Sequence, residues 1–398
     1  SSDVCSSDLR WFTTGCLPKG IDRRRHAKRP DGKIGYHCKA LLGGAGPPAR
    51  QGPAARYGRR GRNCCRPRRN FGIRMSRVFR IGTRASVMAV RQTEAIIRAL
   101  QERFPEHRFE MVRRPADADL DLKSRLGALG GKGGAFITAM HQMLLQGEAD
   151  MVMHSLKDLP GNDEYYEDTR FAIGACLPRS DPRDALVMRR GLDAEATPAV
   201  IGTSSVRRAA FLRRLFPNAT IVPFRGAADK RIARMDDGVP MEFNYGGKTP
   251  AVDALLLAKS GLERIGMQDR ISRVFSREEM CPAVGQGVVV AEYAVGNAEV
   301  RQLLQAINHR PTMYCYQAER AVLRVLNGHC DSPIAAHAWI EDGLLKLQAV
   351  VISLDGRSVV QVYDETRSAD PIALGTRVGR RLNDLGAQTI IAETRYVD

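Results

Sequence analysis

The sequence predicts an α/β protein with parallel-rich sheets, followed by a smaller α+β module built on an antiparallel sheet. Three observations carry this. Short apolar runs alternate with stretches of helical period from Val78 to Ala258, the pattern of βαβ units. Polar and cationic residues follow those runs, where the carboxyl ends of parallel strands place functional groups. After Asn308 the apolar runs become close neighbours separated by Asp342-Gly343 and Asp355-Gly356, which are hairpin turn pairs.

The elements follow in order. Val78 to Thr83 reads as a strand, Arg84-Ala85-Ser86 as a turn and cap, and Val87, Val90, Ile96, Ile97 and Leu100 then recur at helical spacing up to Phe104. Phe109 to Val112 is a second strand. A glycine-rich loop, residues 130–134 around Lys132, leads into a helix from about Ala135 to Gln146, and Met151 to His154 is a third strand. Ala185 to Met188 and Val200 to Gly202 are strands, the latter opening through "TSSVRR" into an amphipathic helix. Ala219 to Phe224 and Asp253 to Ala258 are strands, and 239–251 reads as a surface excursion between them. "AVGQG", residues 283–287, marks the chain crossing back into the first sheet. A helix from Met313 to Val325, the hairpin strands, a helix from Ile372 to Leu385 and a last strand at Thr389 to Ile391 complete the chain.

Charge is uneven. Of 61 Lys+Arg and 44 Asp+Glu, residues 1–75 hold 18 and 4, a net of +14, which leaves 43 against 40, a net of +3, for the other 323 residues. The basic excess therefore belongs to the first segment, which has no sustained apolar period. It reads as upstream sequence ahead of a start at Met75, with an organelle transit segment or a nucleic-acid-binding tail as alternatives. No run reaches the roughly 18 apolar residues a membrane helix needs. The later cysteines, Cys176, Cys281, Cys315 and Cys330, are widely spaced without a CxxC pair, which suits a reducing compartment and argues against a zinc cluster.

Cationic and polar residues recur at the expected strand ends: Arg84 and Ser86, Lys132, Lys157, Ser204, Ser205, Arg207, Arg208, Arg225 and Arg231. A helix amino terminus presents unpaired N–H donors and partial positive charge, so "GTSSVRR" suits a carboxylate or phosphate; simple N-capping with solvated arginines is the plainer alternative. In "HSLKDLP", Lys157 and Asp158 follow a buried strand, and a carboxylate in a basic cleft stays ionised and can stabilise a developing cation. Capping of the turn before Pro160 is the other reading of Asp158. Glu319-Arg320 reads first as a helix-surface ion pair, with an inward-facing anchor as the alternative. Cys330, in the polar stretch "VLNGHCDSPI", is a candidate nucleophile, although a lone turn cysteine is more often inert. No Walker loop or GxGxxG occurs, which disfavours a nucleotide-dependent enzyme.

In this order, "RIGTRAS", "GGKGGAF", "ADMVMHSLKDLP", "SDPRDALV", "IGTSSVRR", "FRGAADKR", "PAVGQG", "AERAVLR" and "LNGHCDSPI" resemble the porphobilinogen deaminase (hydroxymethylbilane synthase) family. The resemblance implies two periplasmic-binding-protein-like lobes and a third α+β domain, divided here as 76–177 with 283–306, 178–282 and 307–398. It implies a cytoplasmic, monomeric transferase of tetrapyrrole biosynthesis that joins four porphobilinogen molecules into hydroxymethylbilane with release of ammonia. Its cofactor would be a dipyrromethane linked through a thioether to Cys330, with no metal, no membrane and no nucleic acid bound by the folded domains. Asp158 aligns with the catalytic aspartate. Lys157, Ser205, Arg207 and Arg208 fall on cofactor-binding positions, and Arg84, Ser86, Lys132, Arg225, Arg231 and Gln286 on substrate-binding ones. The chain departs from the family pattern at His329 (usually Gly), Ala128 (Lys), Ala227 (Asn), one extra glycine before Phe136, and an apparent insertion over 239–251. A non-catalytic two-lobe binding protein for a polycarboxylate is the alternative.

Overall fold

The computed structural model describes residues 76–114, 137–161, 163–243, 247–328 and 332–394. The first segment, the loop bearing Lys132, Ala128, Phe136, His329 and Cys330 lie outside the described residues.

The first sheet has the order β2-β1-β3-β10-β4, from β1 (Val78–Thr83), β2 (Arg108–Arg113), β3 (Met151–Ser155), β4 (Phe171–Cys176) and β10 (Val289–Ala294). β2 and β3 pair parallel to β1, and β10 runs antiparallel between β3 and β4. The second sheet repeats the plan as β7-β6-β8-β5-β9, from β5 (Asp184–Met188), β6 (Val200–Gly202), β7 (Thr220–Val222), β8 (Ala254–Ala258) and β9 (Arg273–Val274). Here β5 is the antiparallel strand, between β8 and β9. The first sheet thus receives β10 from beyond the second crossing, the second sheet is built wholly between the crossings, and the chain passes between them twice, over 177–183 and 275–288. The repeat is visible in the residues: Ile81-Gly82-Thr83 closes β1 and Ile201-Gly202-Thr203 closes and follows β6. This is the two-lobed α/β plan expected from the resemblance.

Helix α1 (Val87–Arg103) starts where Ser86 Oγ accepts from Ala89 N, and it buries Ala89, Gln92, Thr93, Ile96 and Leu100, the spacing of one helical face. Ala89, Ile96 and Leu100 meet Phe79, Ile81, Met151 and Tyr293 in the core of the first lobe. Each such aliphatic or aromatic burial contributes about 1.5–3 kcal/mol. Helix α2 (Thr138–Leu145) covers the same sheet, and the short α3 (Asp163–Glu167) follows the turn after β3. In the second lobe, α4 (Val206–Leu215), α5 (Ala228–Asp236) and α6 (Lys259–Arg264) each follow the carboxyl end of a parallel strand. The excursion at 239–251 is better anchored than its sequence suggests. Met241, Phe243 and Thr249 are buried, and Glu242 bridges Lys248 antiparallel, so the segment fills part of that lobe's core. It precedes β8, and so lies at the end of the sheet opposite the parallel strands' carboxyl ends.

After α7 (Ala298–Ile307), the third module packs α8 (Arg310–Val325) and α9 (Pro371–Asp384) on the meander β11 (Ile334–Glu341), β12 (Leu344–Ile352) and β13 (Val359–Thr366). Two expectations fail here. Thr389 to Ile391 is not a strand but part of α10 (Ala387–Thr394). Gly386, at φ 91°, ends one helix, and Ala387, Ile390 and Ile391 then bury at helical spacing in the module's core; packing overrides the β-branched preference. Glu319 and Arg320 are not a surface pair either, at 0% and 5% exposed. No helix is long and apolar enough to cross a membrane, among the described residues.

Candidate active site

The carboxyl ends of β1, β3, β6, β7 and β8 face one another across a cavity of about 550 Å³. Among the described residues, its lining carries seven cations, Arg84, Lys157, Arg208, Arg225, Lys230, Arg231 and Arg264, and one carboxylate, Asp158. Arg84 and Ser86 come from the β1–α1 turn. Lys157 and Asp158 lie in a single 3-10 turn, Leu156–Asp158, after β3. That turn is held from one side by Leu156 N donating to Val288 O (3.0 Å) and is closed by Leu159 N donating to Leu156 O (3.1 Å). The Asp158 carboxylate is 37% exposed and lies 4.0 Å from the Arg84 guanidinium.

Burial, followed by the nearby Arg208 guanidinium, pulls the Lys157 ammonium down to about 8. Arg231 is likewise pushed down to about 10 by burial and then by Arg208, and its Nε is buried without a hydrogen-bond partner. A guanidinium held out of water with a donor unused is a ready clamp for an anionic oxygen. This wall therefore fits a polycarboxylate.

Behind the wall lies an acid that the sequence reading left without a role. Asp184, 0% exposed, opens β5. Its Oδ2 accepts from Arg207 (2.7 Å), and its Oδ1 accepts from Arg208 Nε (2.9 Å) and Gln286 Nε2 (3.0 Å). Burial works to raise its carboxyl, but Arg207 and Arg208 outweigh it and hold the group at about 2. Gln286 Oε1 in turn accepts from Arg208 (3.2 Å). The signal was present in "SDPRDALV", but nothing local ties an aspartate there to arginines more than twenty residues on.

The structure thus separates the expected site residues. Arg84, Ser86, Lys157, Asp158, Arg208, Arg225 and Arg231 meet at the cavity. Arg207 does not line it; it is 3% exposed and spans Asp184 and Cys281 O (2.7 Å). Gln286, 1% exposed, is a brace for Arg208 rather than part of the lining. Ser205 caps α4, its hydroxyl accepting from Arg208 N. Ser204 lines the cavity while accepting from Phe224 N (3.1 Å). Lys132 and Cys330 lie outside the described residues. Two lining cations were not anticipated: Lys230, exposed beside Arg231, and Arg264, which donates to Ser180 Oγ and Gly287 O (both 2.9 Å).

Glu319 and Arg320 join the third module to this site. Glu319 Oε2 accepts from Gly285 N (2.7 Å) and Oε1 from Ala338 N (2.8 Å), and the carboxylate pairs with Arg179. Both crossings between the lobes are therefore tied to α8 at one carboxylate. Cys176, Cys281 and Cys315 are buried free thiols, each pushed up to about 12 by burial, which suits inert core cysteines.

Residues 79–302 match the family model described as "Porphobilinogen deaminase, dipyromethane cofactor binding domain", and residues 313–384 match the porphobilinogen deaminase C-terminal domain. Among curated relatives, the porphobilinogen deaminase of Alkaliphilus metalliredigens is 35% identical over 317 residues, covering 79% of this chain and 95% of that protein. That of Ralstonia nicotianae is 38% identical over 318 residues, covering 78% and 90%. That of Desulforudis audaxviator is 37% identical over 324 residues, covering 81% and 99%. With its cation-walled cleft between two repeated lobes and both family models matched in sequence, the chain belongs to the porphobilinogen deaminase family.

Proposed function

We propose that this chain is a transferase that joins four porphobilinogen units head to tail into hydroxymethylbilane, releasing one ammonia per unit, on a dipyrromethane held by Cys330 through a thioether. The observation that carries this reading is the cavity in which, among the described residues, seven cations surround the Asp158 carboxylate. Each porphobilinogen carries two carboxylates, so the wall matches the charge of the substrate rather than of the reacting carbon. Arg225, Arg231 and Lys157 hold the acetate and propionate groups, and Arg208, braced by Asp184 and Gln286, orients them. Orientation of this kind replaces translational freedom with a fixed approach geometry.

At the reacting end, ammonia departs with the electron pair of its C–N bond and leaves a cation conjugated with the pyrrole N–H. Amid cations, that charge needs a local counterion. Asp158 supplies it, accepting the pyrrole N–H and balancing the positive charge where it develops. The dipyrromethane supplies the free pyrrole α-carbon to which the first unit is joined. Each addition is balanced by the proton lost from the α-carbon that receives it, and one water molecule would then hydrolyse the linear product off as hydroxymethylbilane. Cys330 is assigned this tether because it aligns with the family's cofactor cysteine and because the three described cysteines are buried, high-pKa thiols.

We divide the chain functionally as 76–177 with 283–306, 178–282 and 307–398, a division supported by the two crossings, and we take the enzyme to act as a cytoplasmic monomer. The test is intact mass together with turnover. Purified chain should carry a dipyrromethane adduct that a Cys330→Ser variant lacks, and should release ammonia from porphobilinogen. A wild-type chain with neither adduct nor turnover would leave only a polycarboxylate-binding protein.

A further inference from the structure

Asp158 is followed at once by Leu159, Pro160 and Gly161, and this segment is gripped by the third module. Arg320, projecting from α8 and 5% exposed, donates from one terminal nitrogen to Pro160 O (2.5 Å), from the other to Leu159 O (3.4 Å) and from Nε to Tyr166 Oη (2.8 Å). Its guanidinium lies over the rings of Tyr165 and Tyr166, at 5.2 and 5.0 Å. Gly161 is seated just as closely: a Cβ there would lie 2.9 Å from Leu323 Cδ1 and 3.2 Å from the Gly328 carbonyl oxygen. Gly328 stands two residues before Cys330 in the chain. The segment leaving the catalytic turn therefore packs against the carboxyl-terminal part of α8 and the Gly328 carbonyl that follows it.

We propose that Arg320 is a positioning residue that holds the Leu159–Pro160 backbone on α8 and so sets the height of the Asp158 carboxylate in the cleft. The geometry favours this over a general stabilising role. A guanidinium that served only to hold the modules together would be satisfied by surface groups, whereas three of its donors are spent on the two carbonyls directly after Asp158 and on the phenol that closes the same loop. A planar fork bonds several acceptors in one orientation, which a flexible ammonium does not. Arg320 touches neither the cavity lining nor the reacting atoms. Its effect reaches the chemistry through the height of one carboxylate, where a shift of about 1 Å is enough to lower turnover on the order of 100-fold.

The inference rests on the proposed function, and one set of measurements separates the two. Full-length wild type, Arg320→Gln, Arg320→Lys and Tyr166→Phe are compared by intact mass, thermal unfolding and steady-state kinetics per adduct-bearing molecule. A wild type without adduct or turnover removes the functional reading itself. With wild type active, the expected result is that Arg320→Gln still carries the adduct, KM stays within about twofold, and kcat falls on the order of 10- to 100-fold. Arg320→Lys should recover part of the loss, and Tyr166→Phe, which deletes only one acceptor, should lower kcat by about two- to fivefold. If Arg320→Gln does not fold, the two milder variants decide. Normal kcat in both, or a loss seen only in KM, in adduct yield or in melting temperature, overturns the proposal.

Discussion

Asp184→Asn keeps the shape of the side chain and removes its charge. In the wild type the two carboxylate oxygens accept from Arg207, Arg208 and Gln286 at 2.7, 2.9 and 3.0 Å. An asparagine offers one oxygen, and its NH2 faces a guanidinium donor or the Gln286 NH2 whichever way it turns. Two buried guanidinium groups then share no carboxylate. Removing one partner of a buried ion pair costs about 3–5 kcal/mol, and we expect a loss in that range at pH 7, read from urea unfolding followed by far-ultraviolet circular dichroism. The pH dependence fixes the cause. The Asp184 carboxyl lies at about 2 when folded against 3.8 ordinarily, a depressed value, so its stabilisation is present above 3.8 and fades as pH falls towards 2. That linked part is on the order of 2 kcal/mol. The gap between wild type and variant should therefore narrow between pH 4 and pH 2. A gap below about 1 kcal/mol at pH 7, or one that does not narrow in acid, would refute the view that this carboxylate holds the arginine wall.

Two further outcomes follow from the same geometry. Asp158→Ala, whose carboxylate is 37% exposed and pairs with Arg84 at 4.0 Å, should leave the melting temperature nearly unchanged while lowering kcat on the order of 100- to 1000-fold; turnover within tenfold of wild type would remove its assigned role. Lys157, with its ammonium near 8, loses charge as pH rises through that value, so kcat/KM for porphobilinogen should fall along an alkaline limb near pH 8. Lys157→Arg stays charged and should move that limb upward, and a limb unmoved in the variant would assign it to another group.

The fold was legible wherever one period dominated a segment. β1, α1, β3, β6 and the β11–β13 meander fall close to their expected places, because alternation, caps and Asp-Gly turns act locally. Adjacent paired residues were not legible. Arg207 and Arg208 were expected to face one ligand together, yet successive helix residues point about 100° apart. One therefore reaches the cavity and the other lies behind it. The same geometry sends Glu319 to the crossings at Gly285 and Arg179, and Arg320 to Pro160. Nothing in "AERAVLR" says that both directions are interior, because that depends on three segments far away in the chain. Asp184 went unassigned for the same reason: its partners reach it only when β5 lies in the second sheet beside β8.

The cavity's charges are also at odds with its stability, and that conflict bears on how the site works. A lysine whose folded value is depressed from 10.5 to about 8 subtracts from folding stability at every pH below 8, and the penalty disappears only above 10.5. For half-buried Lys157 it is on the order of 3 kcal/mol, and Arg231, whose buried Nε has no hydrogen-bond partner, adds to it in the same direction. A protein selected only to fold would pair these groups, as it pairs Arg207 with Asp184 and Arg179 with Glu319. Placing them, among the described residues of the lining, beside the one carboxylate of Asp158 makes a filled cavity more favourable than an empty one. It also means that carboxylates entering the cleft gain from charges already stripped of water, where each contact is stronger than at the surface.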